Sequence, residues 1–267
     1  MKRCYKIALG LLLAASLAGC GKEPEKVPVI KYVAEDTESE IVEEIREEAV
    51  VEEHQEQQEN LVVIDAGHQQ RENSEKEPVG PGATETKAKV AGGTRGVVTG
   101  IPEHELNLQI ALLLEEILLD RGYEVLMIRT TNDVNISNAE RAVVANDAGA
   151  DAFIRIHANG AADSGVNGTM TLCQTPSNPY NGELYEDSRR LADCVLDAFV
   201  DKTGSNKQRV WETDTMSGIN WAMVPTTIVE IGYMSNPEED RKMATAEYQK
   251  LMAEGIADGI DRYFVGE

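Results

Sequence analysis

The chain has 267 residues, enough for one enzyme-sized domain with appendages. It carries 47 Asp and Glu against 25 Lys and Arg, a formal charge of −22. That surplus excludes nucleic acid as a partner, because phosphates would be repelled, and it leaves no basic patch to hold a membrane surface.

The first segment, "MKRCYKIALGLLLAASLAGC", opens on Lys2, Arg3 and Lys6, runs apolar from Ile7 to Ala18 and closes on small residues before Cys20. Residues 1–19 read as an export signal whose apolar core is too short to stay as a spanning helix. The ending "LAGC" resembles the bacterial lipobox, which implies lipid attachment at Cys20 and a chain held on the outer side of the cell membrane, facing the wall. Residues 20–60 read as an acidic tether. Gly21 to Asn60 holds fourteen acids against Lys22, Lys26, Lys31 and Arg46, and it cannot bury a core. Ile41, Ile45 and Ala49 lie at helical spacing, so a marginal helix is compatible with it, and His54 reads as solvated. Cys173 and Cys194 remain; export permits a disulfide between them, but without metal-ligand spacing they read better as small buried thiols.

From Leu61 to the end, short β-branched runs alternate with longer helical ones. Strands are expected at 61–65, 123–129, 151–157, 167–173 and 226–231. Helices are expected over 103–122, with Leu106, Ile110, Leu113, Ile117 and Leu118 on one face, and over 137–148, 183–202 and 238–264. The alternation predicts one α/β domain over 61–267, a twisted and largely parallel sheet flanked by helices. Residues 71–102 are polar and rich in Gly and Pro, which suits the wall or lid of a cleft. Their glycines are not a phosphate loop, since no Lys-Ser or Lys-Thr follows in place.

"HELNL" at His104 to Leu108 falls one histidine short of the helical zinc signature. A stronger constellation comes from strand ends: His68 follows the first strand, His157 closes "FIRIH" and Glu230 closes "TTIVE". In open α/β sheets ligands gather at the carboxyl edge of the strands, and Glu103 at a helix start can face the same edge. Two imidazoles with a carboxylate suit zinc and leave a position for water.

These residues resemble a family. "VVIDAGH", "EHELNLQIA" with "GYEVLMIR", "ERAVVAN", "ADAFIRIHANG" and "TIVEIGYMSNPEED" are similar, in order and spacing, to the zinc-dependent N-acetylmuramoyl-L-alanine amidases of the Amidase_3 type. The likeness covers nearly all of Leu61 to Phe264. It implies a peptidoglycan hydrolase that cuts the amide between N-acetylmuramic acid and L-alanine, with His68, Glu103 and His157 as zinc ligands and Glu230 as the catalytic acid–base. Glu103 is preferred to Glu105 because it precedes Asn107 by four positions, as the family's ligand precedes its Asn. Asp65 is expected either to orient His68 through its second nitrogen or to cap the turn. Arg129, Asp133 and Arg141 match positions read as scaffold ion pairs. The family commonly continues "GHGG" and "SIHAN", whereas this chain has Gln69 and Gln70 after His68 and Arg155 before His157. Arg155 and His157 share a strand face, and all three departures are expected to touch substrate. A monomer is expected. The alternatives are a muropeptide-binding module of the same fold that does not turn over, and a zinc peptidase or deacetylase.

Overall fold

The computed structural model describes residues 60–266. The expected export signal, Cys20 and all of the acidic tether except Asn60 lie outside the described residues.

Six strands form one sheet: β1 (Leu61–Ala66), β4 (Glu124–Met127), β5 (Ala152–Asn159), β6 (Thr169–Cys173), β7 (Lys207–Glu212) and β8 (Thr226–Tyr233). Their order is β4-β1-β5-β8-β6-β7. Every pairing is parallel except β6 with β8, so the expected largely parallel sheet is present with a reversed edge pair. A separate antiparallel hairpin joins β2 (Asn73–Pro78) to β3 (Thr86–Val90). The helices are α1 (Glu103–Asp120), α2 (Asn138–Ala148), α3 (Tyr185–Thr203), α4 (Ser217–Asn220), α5 (Pro237–Met243) and α6 (Ala246–Val265).

Strand alternation divides the interior in two. Val62, Ile64 and Ala66, with Ile154, Ile156, Val229 and Ile231, turn to one face and pack against α1, α3 and α6. Val63 and Phe153 turn to the other and meet Ala142, Ala145, Ala222 and Val224 from α2 and the α4 region. Asp65, Arg155 and His157 stand at odd positions of the same strands, so alternation places them on this second, more thinly covered face.

Local signals explain the helix limits. Ser137 and Glu140 form a reciprocal capping box at the start of α2, and Gly149 ends it in the left-handed region. The single helix expected over 238–264 is two helices. Thr245 is extended at φ −89° and ψ 138°, and its side chain caps Tyr248 N–H, so a new helix begins there. In α1, Leu114 rather than Leu113 takes the core position, while Leu113 and Ile117 sit on the rim. Cys173 and Cys194 are both buried, as expected. Among the described residues no helix is long and apolar enough to cross a membrane.

Candidate active site

His68 follows β1 after Gly67 and has φ 60°, a left-handed backbone that non-glycine residues rarely adopt. Two buried arginines hold this turn. Arg141 donates to the carbonyls of Ala66 and His68, and Arg129 donates to those of Ala66, Gly67 and His104. The imidazole is fixed from behind as well, because Nδ1 lies 2.8 Å from the Ala91 carbonyl. A carbonyl only accepts, so Nδ1 carries the proton and Nε2 of neutral His68 turns a lone pair inward.

Glu103 is the first residue of α1. Its Oε2 accepts from Thr94 N–H at 2.8 Å and its Oε1 from Ala158 N–H at 3.1 Å. His157 comes from β5, where it stands in register with Glu230 of β8. Three atoms converge: His68 Nε2 lies 3.0 Å from Glu103 Oε1, His157 Nδ1 lies 3.2 Å from the same oxygen, and the two ring nitrogens are 3.1 Å apart. Three electron-rich atoms this close repel one another unless a proton or a cation lies between them. A tetrahedron with bonds of about 2.0–2.1 Å has edges of about 3.3–3.4 Å, close to this triangle. His68, Glu103 and His157 together could hold a metal ion, and a dication suits one carboxylate with two neutral imidazoles.

The electrostatics favour an anionic Glu103 and a neutral His157. Burial pushes Glu103 up, but hydrogen bonds from His157 and His68 outweigh it and hold the carboxyl well below its usual range. Burial drives His157 down to about 4, against the pull of Glu103, which keeps its lone pair free at neutral pH. Burial also opposes charge on His68, yet the bond and charge of Glu103 raise it above its usual value. Glu230 is pushed up to about 8, first by burial and then by the charge of Glu103. Its Oε2 is buried and has no hydrogen-bond partner among the described residues.

Two clefts meet at His68, His157 and Glu230. One, of about 510 Å³, runs between the β2–β3 hairpin and the 215–218 segment. The other, of about 420 Å³, is walled by residues 93–94, 158–161 and Ser235. Residues 71–102 thus form walls of both, as their composition predicts.

The other expected residues meet their expectations in part. Asp65 does not orient His68. Its two oxygens face Arg141 Nη1 and Arg155 Nε, at 2.5 and 2.9 Å, and the Ala91 carbonyl does the orienting. Burial alone would raise the Asp65 carboxyl, but the two guanidinium groups hold it well below its ordinary range. Of the three positions read as ion pairs, only Arg141 makes one among the described residues. Arg129 bonds carbonyls and Asn132 Oδ1, and Asp133 is exposed. Arg155 lines the larger cleft together with His68, His157 and Glu230. Gln69 and Gln70 do not reach it. The Gln69 amide is buried and accepts from Ile136 N–H and Arg141 while donating to the Arg71 carbonyl; the Gln70 side chain is exposed. Two contributors escape sequence reasoning. Ala91 acts through its backbone, and Gly67 acts through an absent side chain, since a Cβ there would stand 2.3–2.7 Å from the His157 ring.

Comparison with known proteins gives the same picture. Over 168 residues the chain is 30% identical to YqiI of Bacillus subtilis (strain 168), covering 63% of this chain and 77% of that one. It is also 30% identical over 165 residues to the N-acetylmuramoyl-L-alanine amidase LytC of the same organism, covering 62% of this chain but only 32% of LytC. The crystal structure of the N-acetylmuramyl-L-alanine amidase Ami1 from Mycobacterium smegmatis superposes with a TM-score of 0.71 at 26% identity, covering 78% of this chain and 98% of that one. The Amidase_3 profile, described as N-acetylmuramoyl-L-alanine amidase, matches residues 62–262, and the chain belongs to that family.

Proposed function

We propose that this protein is a zinc-dependent hydrolase of peptidoglycan that cleaves the amide between N-acetylmuramic acid and L-alanine. The observation that carries the reading is the convergence of His68, Glu103 and His157 within 3.0–3.2 Å, with the buried Oε2 of Glu230, unpartnered among the described residues, alongside. His68 Nε2, His157 Nδ1 and a Glu103 oxygen would hold the ion. Zinc bound there supplies a Lewis acid that polarises a carbonyl and brings water deprotonation near neutral pH.

The chain's own residues supply the rest. Glu230 takes the proton of the attacking water and delivers it to the departing amine of L-alanine. Its high proton affinity suits the second task, and a dication beside Glu103 offsets the charge that contributes to it. Ala91 and the Thr94 and Ala158 amides keep the ligands aimed. Arg155 provides positive charge at the cleft floor for a substrate carboxylate or a developing oxyanion.

Purified peptidoglycan incubated with the zinc-loaded protein should release peptides. Glu230→Gln should retain zinc and substrate but lose about 10²–10⁴-fold in rate, the usual worth of general acid–base catalysis. Loss of zinc from Glu230→Gln, or undiminished cleavage, would contradict the assignment.

The same reading places the protein outside the cell membrane, held by lipid on Cys20 and acting on the wall as a monomer. Labelled fatty acid should appear on the wild-type chain and be missing from Cys20→Ala; an unlabelled wild-type chain would overturn this part.

A further inference from the structure

The two clefts that meet at the ligand cluster differ in charge. The smaller presents backbone, Thr94, Asn159 and Ser235 beyond the cluster itself, a neutral lining that suits hydroxyl and acetamido groups. The larger presents Lys76, Lys87 and Arg155, and its only carboxylate is Glu230 at the junction.

This is unusual placement in so acidic a chain. Lys89 pairs with Glu75, and Lys202 and Lys207 pair with acids elsewhere. Lys76 is exposed and forms no ion pair among the described residues. Among the described residues Lys87 donates only to the Thr215 carbonyl, which neutralises none of its charge and spans the cleft from the hairpin to the loop before α4. Arg155 is 97% buried, being 3% exposed. Its Nε and Nη2 are engaged by Asp65 and Asn138, but Nη1 has no partner among the described residues. Nη1 points at Gly218 on the cleft wall, where a Cβ would stand only 1.6 Å away. Asp65 already serves Arg141 as well, so one carboxylate faces two guanidinium groups and the local charge stays positive.

Resting on the amidase reading above, we infer that the cleft between the hairpin and α4 receives the peptide half of the substrate and recognises a free carboxylate there through Arg155 Nη1, Lys87 and Lys76. The glycan half then lies along the neutral cleft. The scissile amide sits between them, next to Glu230. The substrate class is an acidic stem peptide; replacing its carboxylate by a carboxamide removes the charge these three cations face.

The test uses synthetic N-acetylmuramoyl tripeptides, all amidated at the C-terminus. One carries a free α-carboxylate on the second residue, one a carboxamide there, and one a carboxylate only on the third residue's side chain. Calorimetry on the zinc-loaded Glu230→Gln protein gives Kd without turnover, and hydrolysis by the wild type gives kcat/KM. One of the two carboxylate-bearing peptides should bind about tenfold or more tightly than the carboxamide, the scale of one charge-assisted hydrogen bond. Which of the two does so identifies the residue read. The ratio should shrink towards one in Lys76→Met/Lys87→Met, and shrink also with added salt. Equal affinity for all three, a preference for the carboxamide, or a ratio unchanged by the double substitution would overturn the inference while leaving the amidase reading intact. Failure to cleave any of the three would instead overturn the amidase reading, and the inference with it.

Discussion

Gly67 has no side chain because the His157 ring fills the space where one would stand, with Cε1 and Nε2 2.3 and 2.4 Å from an ideal Cβ. The ring has little room to retreat, since it is largely enclosed and its Nδ1 faces the two other ligand candidates. Gly67→Ala should therefore displace a proposed ligand while leaving the sheet folded. Zinc content should fall towards that of His68→Ala or His157→Ala with an unchanged far-ultraviolet spectrum, and full zinc occupancy would show that the ring is free to move. Asp65 makes a different kind of contribution, since it lies between Arg141 and Arg155, with Asp65 and Arg141 fully buried and Arg155 nearly so at the cleft floor. Asp65→Asn leaves two buried cations without their anion and should cost about 3–5 kcal/mol in denaturant unfolding. The pH dependence follows from the depressed folded-state value. This stabilisation is fully present above the unfolded Asp range, about 3.9, and is lost only as pH falls through the lower folded value. The difference between wild type and Asp65→Asn should thus persist at neutral pH and shrink in strong acid.

The β2–β3 hairpin is the element that turns a strand-edge cluster into a cleft. Its strands bury little of their own surface, so its position depends on ties to the body. Asn220 donates to the Val79 and Asp214 carbonyls and accepts from Asn178, Trp221 Nε1–H donates to the Pro78 carbonyl, and buried Glu77 accepts from Ala139 N–H at the start of α2. Asn220→Ala should cost about 1–3 kcal/mol for each buried partner left unpaired and raise KM more than it lowers kcat, because the wall moves while the ligand cluster stays. An unchanged KM would show that the hairpin is held without it. The same polarity hides this element in the sequence. "NSEKEP" has no apolar face and "TKAKV" offers only Ala88 and Val90 beside its lysines, whereas β1, β5 and β8 stand out as β-branched apolar runs. β7 is missed for a related reason: as an edge strand its burial alternates between exposed and half-buried, too weak a contrast to read. The cluster His68, Glu103, His157 could be anticipated because sheet topology sends strand ends to one edge. The support for His68 could not, because it is a carbonyl, and carbonyls leave no trace in side-chain identity.

The arrangement as a whole is an asymmetric sandwich. One face of the sheet is sealed by α1, α3 and α6 over a large apolar core; the other is covered by α2 and the short α4, which leaves the carboxyl edges of β1, β5 and β8 open where the two clefts join. Arg155 and Gln69, which depart from the family's usual residues, are absorbed into the Asp65 and Arg141 network and do not displace any member of the ligand cluster. That favours turnover over binding alone, and it makes the identity of the broken bond the decisive quantity. Peptidoglycan digested by the zinc-loaded protein, with the released fragments sequenced from their new amino termini, measures it directly. Hydrolysis of the muramoyl amide predicts peptides that begin with L-alanine, intact glycan strands and no such release by Glu230→Gln. New termini within the peptide, released acetate, or binding with no release across several peptidoglycan chemistries would contradict it.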